Sequence, residues 1–271
     1  MDNQPPDEQQ AALSPSAKAV RKPAASTPVA KALPKWENEA REQLKAAIKK
    51  FAKPLADLAT RDANEGDTRL LITDFLCEGL GYDKYADLTT EYQVKGEFAD
   101  YGVRIDRQLI AFIEVKRVST KLGSKHLRQV EMYAVNEGIE WLILTNAAQW
   151  EVYRLTGGLP VQIDLAFSVD LLGSDTVAAK ANQLYYIHRE ALKRRQIDEL
   201  WKARRASSPR SLAKVLLTDS VVDAIRKELR QQSGHNIDPK DLARLLRTTI
   251  IRPECFDRDN GTASKTKKGQ E

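Results

Sequence analysis

The stretch FADYGVRIDRQLIAFIEVKR, residues 98–117, decides how the rest of the chain is read. Two runs, FADYGVRI and LIAFIEVKR, are separated by Asp106, Arg107 and Gln108, a turn-length gap, and predict a hairpin. Residues 109–115 are apolar on both faces, the pattern of a strand covered from both sides. Glu114 sits inside that run and Lys116 follows two places on. Side chains two apart on a strand share a face, so Phe112, Glu114 and Lys116 point the same way. A carboxylate buried without a partner costs several kcal/mol, so Glu114 needs one.

Around the hairpin the periodicities alternate. Residues 36–61 repeat with a helical period, broken or kinked near Pro54. Residues 64–81 form a second helix, with Asn64 as cap, Glu65 at its first position, and Gly79 or Gly81 at its end. LTTEYQV (88–94) is a short strand. After the hairpin come a helix over 124–137, the strands WLILTN (141–146) and QWEVYRL (149–155), and one more over 161–169. Helix, three strands, helix and further strands predict an α/β domain.

The flanks differ in kind. Residues 1–35 and 258–271 are rich in small and polar residues and read as disordered tails. The domain is expected over 36–170, with its core at 60–156, and a helical C-terminal region over 174–257. That region opens with one long helix ending at Ser207-Ser208-Pro209; two shorter helices follow, the last capped by Asp238. Residues 181–271 carry 20 Lys/Arg against 12 Asp/Glu, the basic end of a 271-residue chain of net charge +5. Such a balance suits a polyanionic partner without proving one. Cys77 and Cys255 are too far apart in sequence to read as a disulfide framework or zinc cluster, and no apolar run has the length of a membrane span. A cytoplasmic protein with no membrane contact is expected.

Asp100 lies across the hairpin from Glu114, at a similar distance from the turn, so the two carboxylates reach one patch. Like charges this close repel unless a positive charge intervenes. A divalent metal such as Mg2+, which takes one or two carboxylates and keeps waters or phosphate on its other positions, is the natural partner. The Lys116 ammonium then stabilises charge developing on a phosphate. Each residue taken alone is commonplace; their joint placement in apolar sequence carries the reading.

Asp100 followed fourteen positions later by Glu114-Val-Lys116 resembles the motif of the PD-(D/E)XK nuclease superfamily. The helix beyond contains Gln129-Val-Glu-Met-Tyr133, similar to the QxxxY motif of the RecB-like branch. Upstream, NEGDTRLLITDFLCEGLGY resembles the opening helix of the N-terminal nuclease domain of type I restriction enzyme R subunits, where an acidic residue in an E-x-x-T-R context completes a metal site. The resemblance covers about 60–156 and implies a restriction-endonuclease-like central mixed β-sheet flanked by helices. It implies Glu65, Asp100, Glu114 and the carbonyl of Val115 as ligands of Mg2+, with Mn2+ as substitute. Lys116 would act on the hydrolytic water, and Gln129 and Tyr133 would buttress the site or touch the scissile phosphate. Ala99 stands where the motif name has proline, and no G-x-x-x-x-G-K-[ST] stretch is present to hold ATP. Family-level ATP dependence is therefore not carried over.

The expectation is a stand-alone metal-dependent DNA endonuclease of restriction or defence type. Methylase, specificity or motor subunits, or a homodimer, are candidate protein partners. The alternatives are a non-catalytic nucleic-acid-binding or assembly module on a nuclease scaffold, and an interaction protein working through its C-terminal helices. Lys95 and Arg104 read as solvated charges, with contact to phosphate as the alternative, and His126 as a surface histidine, with approach to the substrate as the alternative; Trp150 and Tyr153 read as packing residues, and His188 and His235 lack partners at ligand spacing. The run Lys193-Arg194-Arg195 with Lys202, Arg204 and Arg205 is either a solvated helix face or a track for a phosphate backbone.

Overall fold

The computed structural model describes residues 33–94, 97–157 and 161–256, without the side chains of residues 91–94, 97, 98, 124, 129, 132 and 133. Lys95 and most of both expected tails lie outside the described residues.

The first helix, α1 (Lys35–Thr60), buries Ala40, Leu44, Ala47, Ile48, Phe51, Leu55 and Leu58 along one stripe. Of the break or kink expected near Pro54, no break occurs: the helix runs through it. Pro54 and Lys50 are both exposed, so the carbonyl that loses its donor has access to water. The buried stripe holds the turns on either side in register. Helix α2 (Glu65–Glu78) starts as read, with the Asn64 side chain accepting from the Asp67 amide at 2.9 Å. Gly79 occupies its C-cap.

Strands β1 (Leu88–Val94), β2 (Glu97–Ile105) and β3 (Gln108–Val115) follow. The β2–β3 turn is two residues long, because Gln108 already pairs with Ile105. Asp106 and Arg107 both have positive φ, 49° and 69°, as the tight hairpin turn matched to strand twist requires. A 3-10 turn (Ser124–Leu127) leads into α3 (Arg128–Glu137), so the helix expected over 124–137 has a tightened first turn. Strands β4 (Trp141–Thr145), β5 (Gln149–Thr156) and β6 (Gln162–Asp170) complete one six-stranded sheet of order β1-β2-β3-β4-β5-β6. The β3–β4 pair is parallel and the others antiparallel, which makes the sheet mixed. The parallel pair needs a crossover, which α3 supplies.

Both faces of β3 are covered, as its composition requires. Ala111, Ile113 and Val115 belong to an apolar cluster with α1, α2, Trp141, Trp150 and Val152. Phe112 belongs to the other, with Val130 and Ala134 of α3 and Leu142 and Leu144 of β4. By alternation Glu114 lies on the Phe112 face.

Beyond β6 the single long helix expected from the sequence is instead three: α4 (Val177–Leu184), α5 (Arg189–Lys193) and α6 (Gln196–Ala206), with a 3-10 turn between α4 and α5. The breaks fall at His188, extended at φ −67° and ψ 143°, and at Arg195, left-handed at φ 54°. They let Ala181, Leu184, Ile187, Leu192 and Ile197 all reach the apolar cluster under α1 and α2. A straight helix would carry part of that set away from the core. Gly81 has φ +72°, and a Cβ there would lie 3.1 Å from His188 Nε2, so glycine lets the chain pass this corner. The chain ends in α7 (Pro209–Leu216), α8 (Asp219–Ser233) and α9 (Pro239–Leu245), three helices rather than two, around Ala213, Val222, Leu242, Leu246 and Ile251. Asp238 caps α9 as read. Among the described residues no helix is long and apolar enough to cross a membrane.

Candidate active site

The site is built where β3 leaves the sheet. Tyr101 pairs with Ile113, and one step further towards the open end of the hairpin come Asp100 and Glu114. Asp100 is held twice. Its Oδ2 accepts the Val115 amide at 2.7 Å, so a strand N–H is satisfied by a side chain. Its Oδ1 pairs with the Arg69 guanidinium from α2. The Lys116 amide donates to the Thr145 carbonyl at 2.8 Å, which fixes the lysine's starting direction.

Glu114 keeps 8% of its side chain exposed, and its Oε1 accepts from Lys116 Nζ at 2.5 Å. Its Oε2 is buried and has no hydrogen-bond partner. Burial pushes the Glu114 carboxyl above the usual range, and the negative charges of Asp100 and Glu65 add to that push; the bond and charge of Lys116 pull the other way without winning. Burial also works to lower the Lys116 ammonium, but the Glu114 hydrogen bond and the charges of Glu114, Glu65 and Asp100 outweigh it and leave the lysine raised. Lys116 is thus a firmly protonated cation beside an acid that resists ionisation.

Glu65 opens α2 and is half-exposed, with Oε1 3.7 Å from Arg69 Nη2. Thr68 is buried and its hydroxyl donates to the Asn64 carbonyl at 2.8 Å, locking the first turn of α2 so that Glu65 and Arg69 face the hairpin. Arg69 therefore reaches both Asp100 and Glu65, and the two cations Arg69 and Lys116 offset part of the charge of the three acids. Among the described residues no three His, Cys, Asp or Glu side chains form a group that could hold a metal ion. The donors nonetheless have the right chemistry for a hard cation. All are oxygens, they feel one another's charge, and the buried Glu114 Oε2 has a lone-pair direction unused. Val115 is fully buried with its amide committed to Asp100. The side chains of Gln129 and Tyr133 lie outside the described residues.

Three side chains near this site carried little or no weight in the sequence reading. Arg69 was noted only as part of a motif, although its spacing of four from Glu65 on a helix is a legible pairing signal. His126 is half-buried rather than a plain surface residue. Burial and the charges of Lys125 and Lys116 hold its pKa down, and its Nδ1 is buried without a partner. Glu151 stands opposite Leu144 on β5 and accepts from the Tyr153 hydroxyl at 2.5 Å. No sequence pattern announces Glu151, because its place follows from the β4–β5 register. Trp150 is buried and packs on Phe75, as expected of a core residue. Arg104 donates to Thr89 Oγ1 at 2.6 Å across β1 and β2. His188 caps α5 by accepting the Glu190 amide at 3.1 Å, and His235 is exposed beyond α8.

Comparison with known proteins adds one finding. Residues 64–160 match the family described as type I restriction enzyme R protein N terminus. The match begins at the Asn64 cap and ends beyond β5, so it spans Glu65, Asp100, Glu114 and Lys116. The segment resembles a restriction-system nuclease domain, and the mixed sheet with its flanking helices is the restriction-endonuclease-like arrangement. No curated protein and no solved structure was found to match the chain.

Proposed function

We propose that the chain is a metal-dependent DNA endonuclease of restriction or defence type. What supports this is one juxtaposition: Asp100, Glu114 and Lys116 gathered at the end of β3, with a buried Glu114 oxygen left unpaired. A core packed for stability alone has no use for that oxygen. Mg2+, or Mn2+ in its place, would be held by Asp100, Glu114 and the Val115 carbonyl, with Glu65 direct or through water. When bound, the ion supplies a lower pKa to its water and neutralises charge on the phosphate.

The protein's own groups do the rest. Lys116, kept protonated by its acidic neighbours, stabilises negative charge at the phosphate rather than serving as a base. Arg69 holds Asp100 in place and, with the Asp100 charge shared with a bound ion, would be placed to meet a phosphate oxygen. Gln129 and Tyr133, four apart on α3, would buttress the site or touch the scissile phosphate. A reducing cytoplasm is the proposed setting. DNA is the proposed partner, with methylase, specificity or motor subunits, or a second copy, as further ones.

The test uses supercoiled plasmid and single-stranded DNA with Mg2+ or Mn2+, comparing the wild type with Lys116→Ala and Asp100→Asn. Cleavage by the wild type and none by the variants supports the enzyme. Binding without cleavage, unchanged by either variant, supports a non-catalytic module instead.

A further inference from the structure

Strand β6 is one edge of the sheet, and α6 lies against it: Arg204 Nη1 donates to the Ala166 carbonyl. Beyond that contact, a groove of about 1220 Å³ opens between β6, α6, the start of α7 and the Arg252–Cys255 segment. Arg204, Arg205, Arg210, Lys214 and Arg252 line it, against the acids Asp164 and Glu254. Arg205, Lys214 and Arg252 are exposed and make no ion pair among the described residues. Other cations, on α6 and in the turn between α5 and α6, are paired: Lys202 with Glu199, Arg194 with Glu190 and Arg195 with Asp198. Three separate elements, α6, α7 and the Arg252–Cys255 segment, bring Arg205, Lys214 and Arg252 to one concavity.

We infer that this groove is a second nucleic-acid site, which takes a stretch of sugar-phosphate backbone away from the acidic pocket. A solvated helix face would need only one element and would show no concavity. The volume exceeds the roughly 300–1,000 Å³ of small-molecule pockets, which favours a polymer. Trp201, half-buried on the groove wall, offers an aromatic surface among the cations, the pairing that backbone-and-base contacts use. The inference goes beyond the proposed nuclease reading and does not depend on cleavage.

The groove is well separated from Glu114. Five residues along β5 from Glu151 to Thr156 cover roughly 17 Å, and three strand spacings from β3 to β6 about 14 Å, so the separation is on the order of 20 Å. On B-DNA that is about six base pairs at roughly 3.4 Å each.

The experiment measures binding of the full chain to a fluorescent 20-base-pair duplex by polarisation across a salt series, in EDTA so that cleavage does not intervene. The triple variant Arg205→Ala, Lys214→Ala, Arg252→Ala is compared with a matched triple on other exposed lysines, Lys49→Ala, Lys53→Ala, Lys227→Ala. Three phosphate contacts contribute a slope of about 2.7 in log affinity against log salt. The groove triple should flatten the slope by about that amount, and the matched triple by less than one. Thermal melting checks that each variant folds. Should the triple fail to fold, Arg205→Gln and Lys214→Gln singly should each flatten the slope by about 0.9. A wild-type slope in the groove variants, or equal losses from both triples, overturns the inference. So does a polyglutamate peptide that competes as well as DNA at matched charge, which would assign the groove to an acidic protein partner. A chain that cleaves nothing but shows the flattened slope leaves the groove standing and removes only the nuclease reading.

Discussion

Asp100 is the residue on which fold and chemistry meet, and replacing it separates the two. Its Oδ2 is the acceptor for the Val115 amide, and Val115 is fully buried. Asp100→Ala leaves that amide unpaired, a cost of about 1–3 kcal/mol. The Arg69 ion pair is also lost, but Arg69 is 34% exposed, so screening limits that loss to at most about 1 kcal/mol. Together the variant should lose about 1–4 kcal/mol, or roughly 2–16 °C in Tm for a domain of this size. Asp100→Asn keeps an oxygen towards the Val115 amide and gives up only the ion pair, so its Tm should fall by no more than roughly 4 °C. Differential scanning calorimetry at low salt reads both. Mg2+ added to the wild type should raise its Tm, and should raise neither variant's. If the alanine variant melts with the wild type, the side-chain acceptor at the end of β3 is not what holds that strand, and the site geometry built on it is wrong.

Other expected outcomes follow from the same cluster and its surroundings. Arg69→Ala removes the cation that competes for Asp100 and should tighten Mn2+ binding by about fivefold, the equivalent of one partly exposed pair of about 1 kcal/mol; calorimetric titration showing unchanged or weaker binding would count against the exchange. Glu114→Gln should be more stable than the wild type at pH 7. The folded state holds the Glu114 proton more tightly than the unfolded chain, so stability is lost as pH rises above the ordinary value of 4.5, and the advantage of Gln should vanish below it. His188 acts with the opposite sign: burial depresses its pKa from 6.5 to about 4, so the stability it contributes is present above pH 6.5 and lost as pH falls towards 4. That loss amounts to about 3 kcal/mol. His188→Asn keeps a cap acceptor and should flatten the urea-measured stability curve over this interval; an unchanged curve would place the acid sensitivity elsewhere.

The hairpin and its charges were legible because they obey local rules. Period two put Glu114 and Lys116 on one face, and the similar distance of Asp100 and Glu114 from the turn placed them side by side. Asn64 was legible as a cap because the bond it makes spans only three residues. What stayed hidden depends on tertiary packing. Pro54 breaks no helix because a buried stripe continues past it. The helix after 174 breaks at His188 and Arg195 because the core beneath α1 draws its apolar residues inward from several directions. Glu151 and His126 come near the site only through the β4–β5 register and the 3-10 turn before α3, which no short window of sequence contains.

One apolar cluster joins α1 and α4–α6 to the sheet, yet the recognisable segment is only residues 64–160. A fragment trimmed to that segment would bare Trp141, Ile143, Val152 and the inner side of α2 to solvent. Such a piece should come out of the cell as aggregate, however intact its acidic residues. Anyone grafting this domain onto another protein must carry both the preceding helix and the three after the sheet. Its heritable unit is wider than its signature.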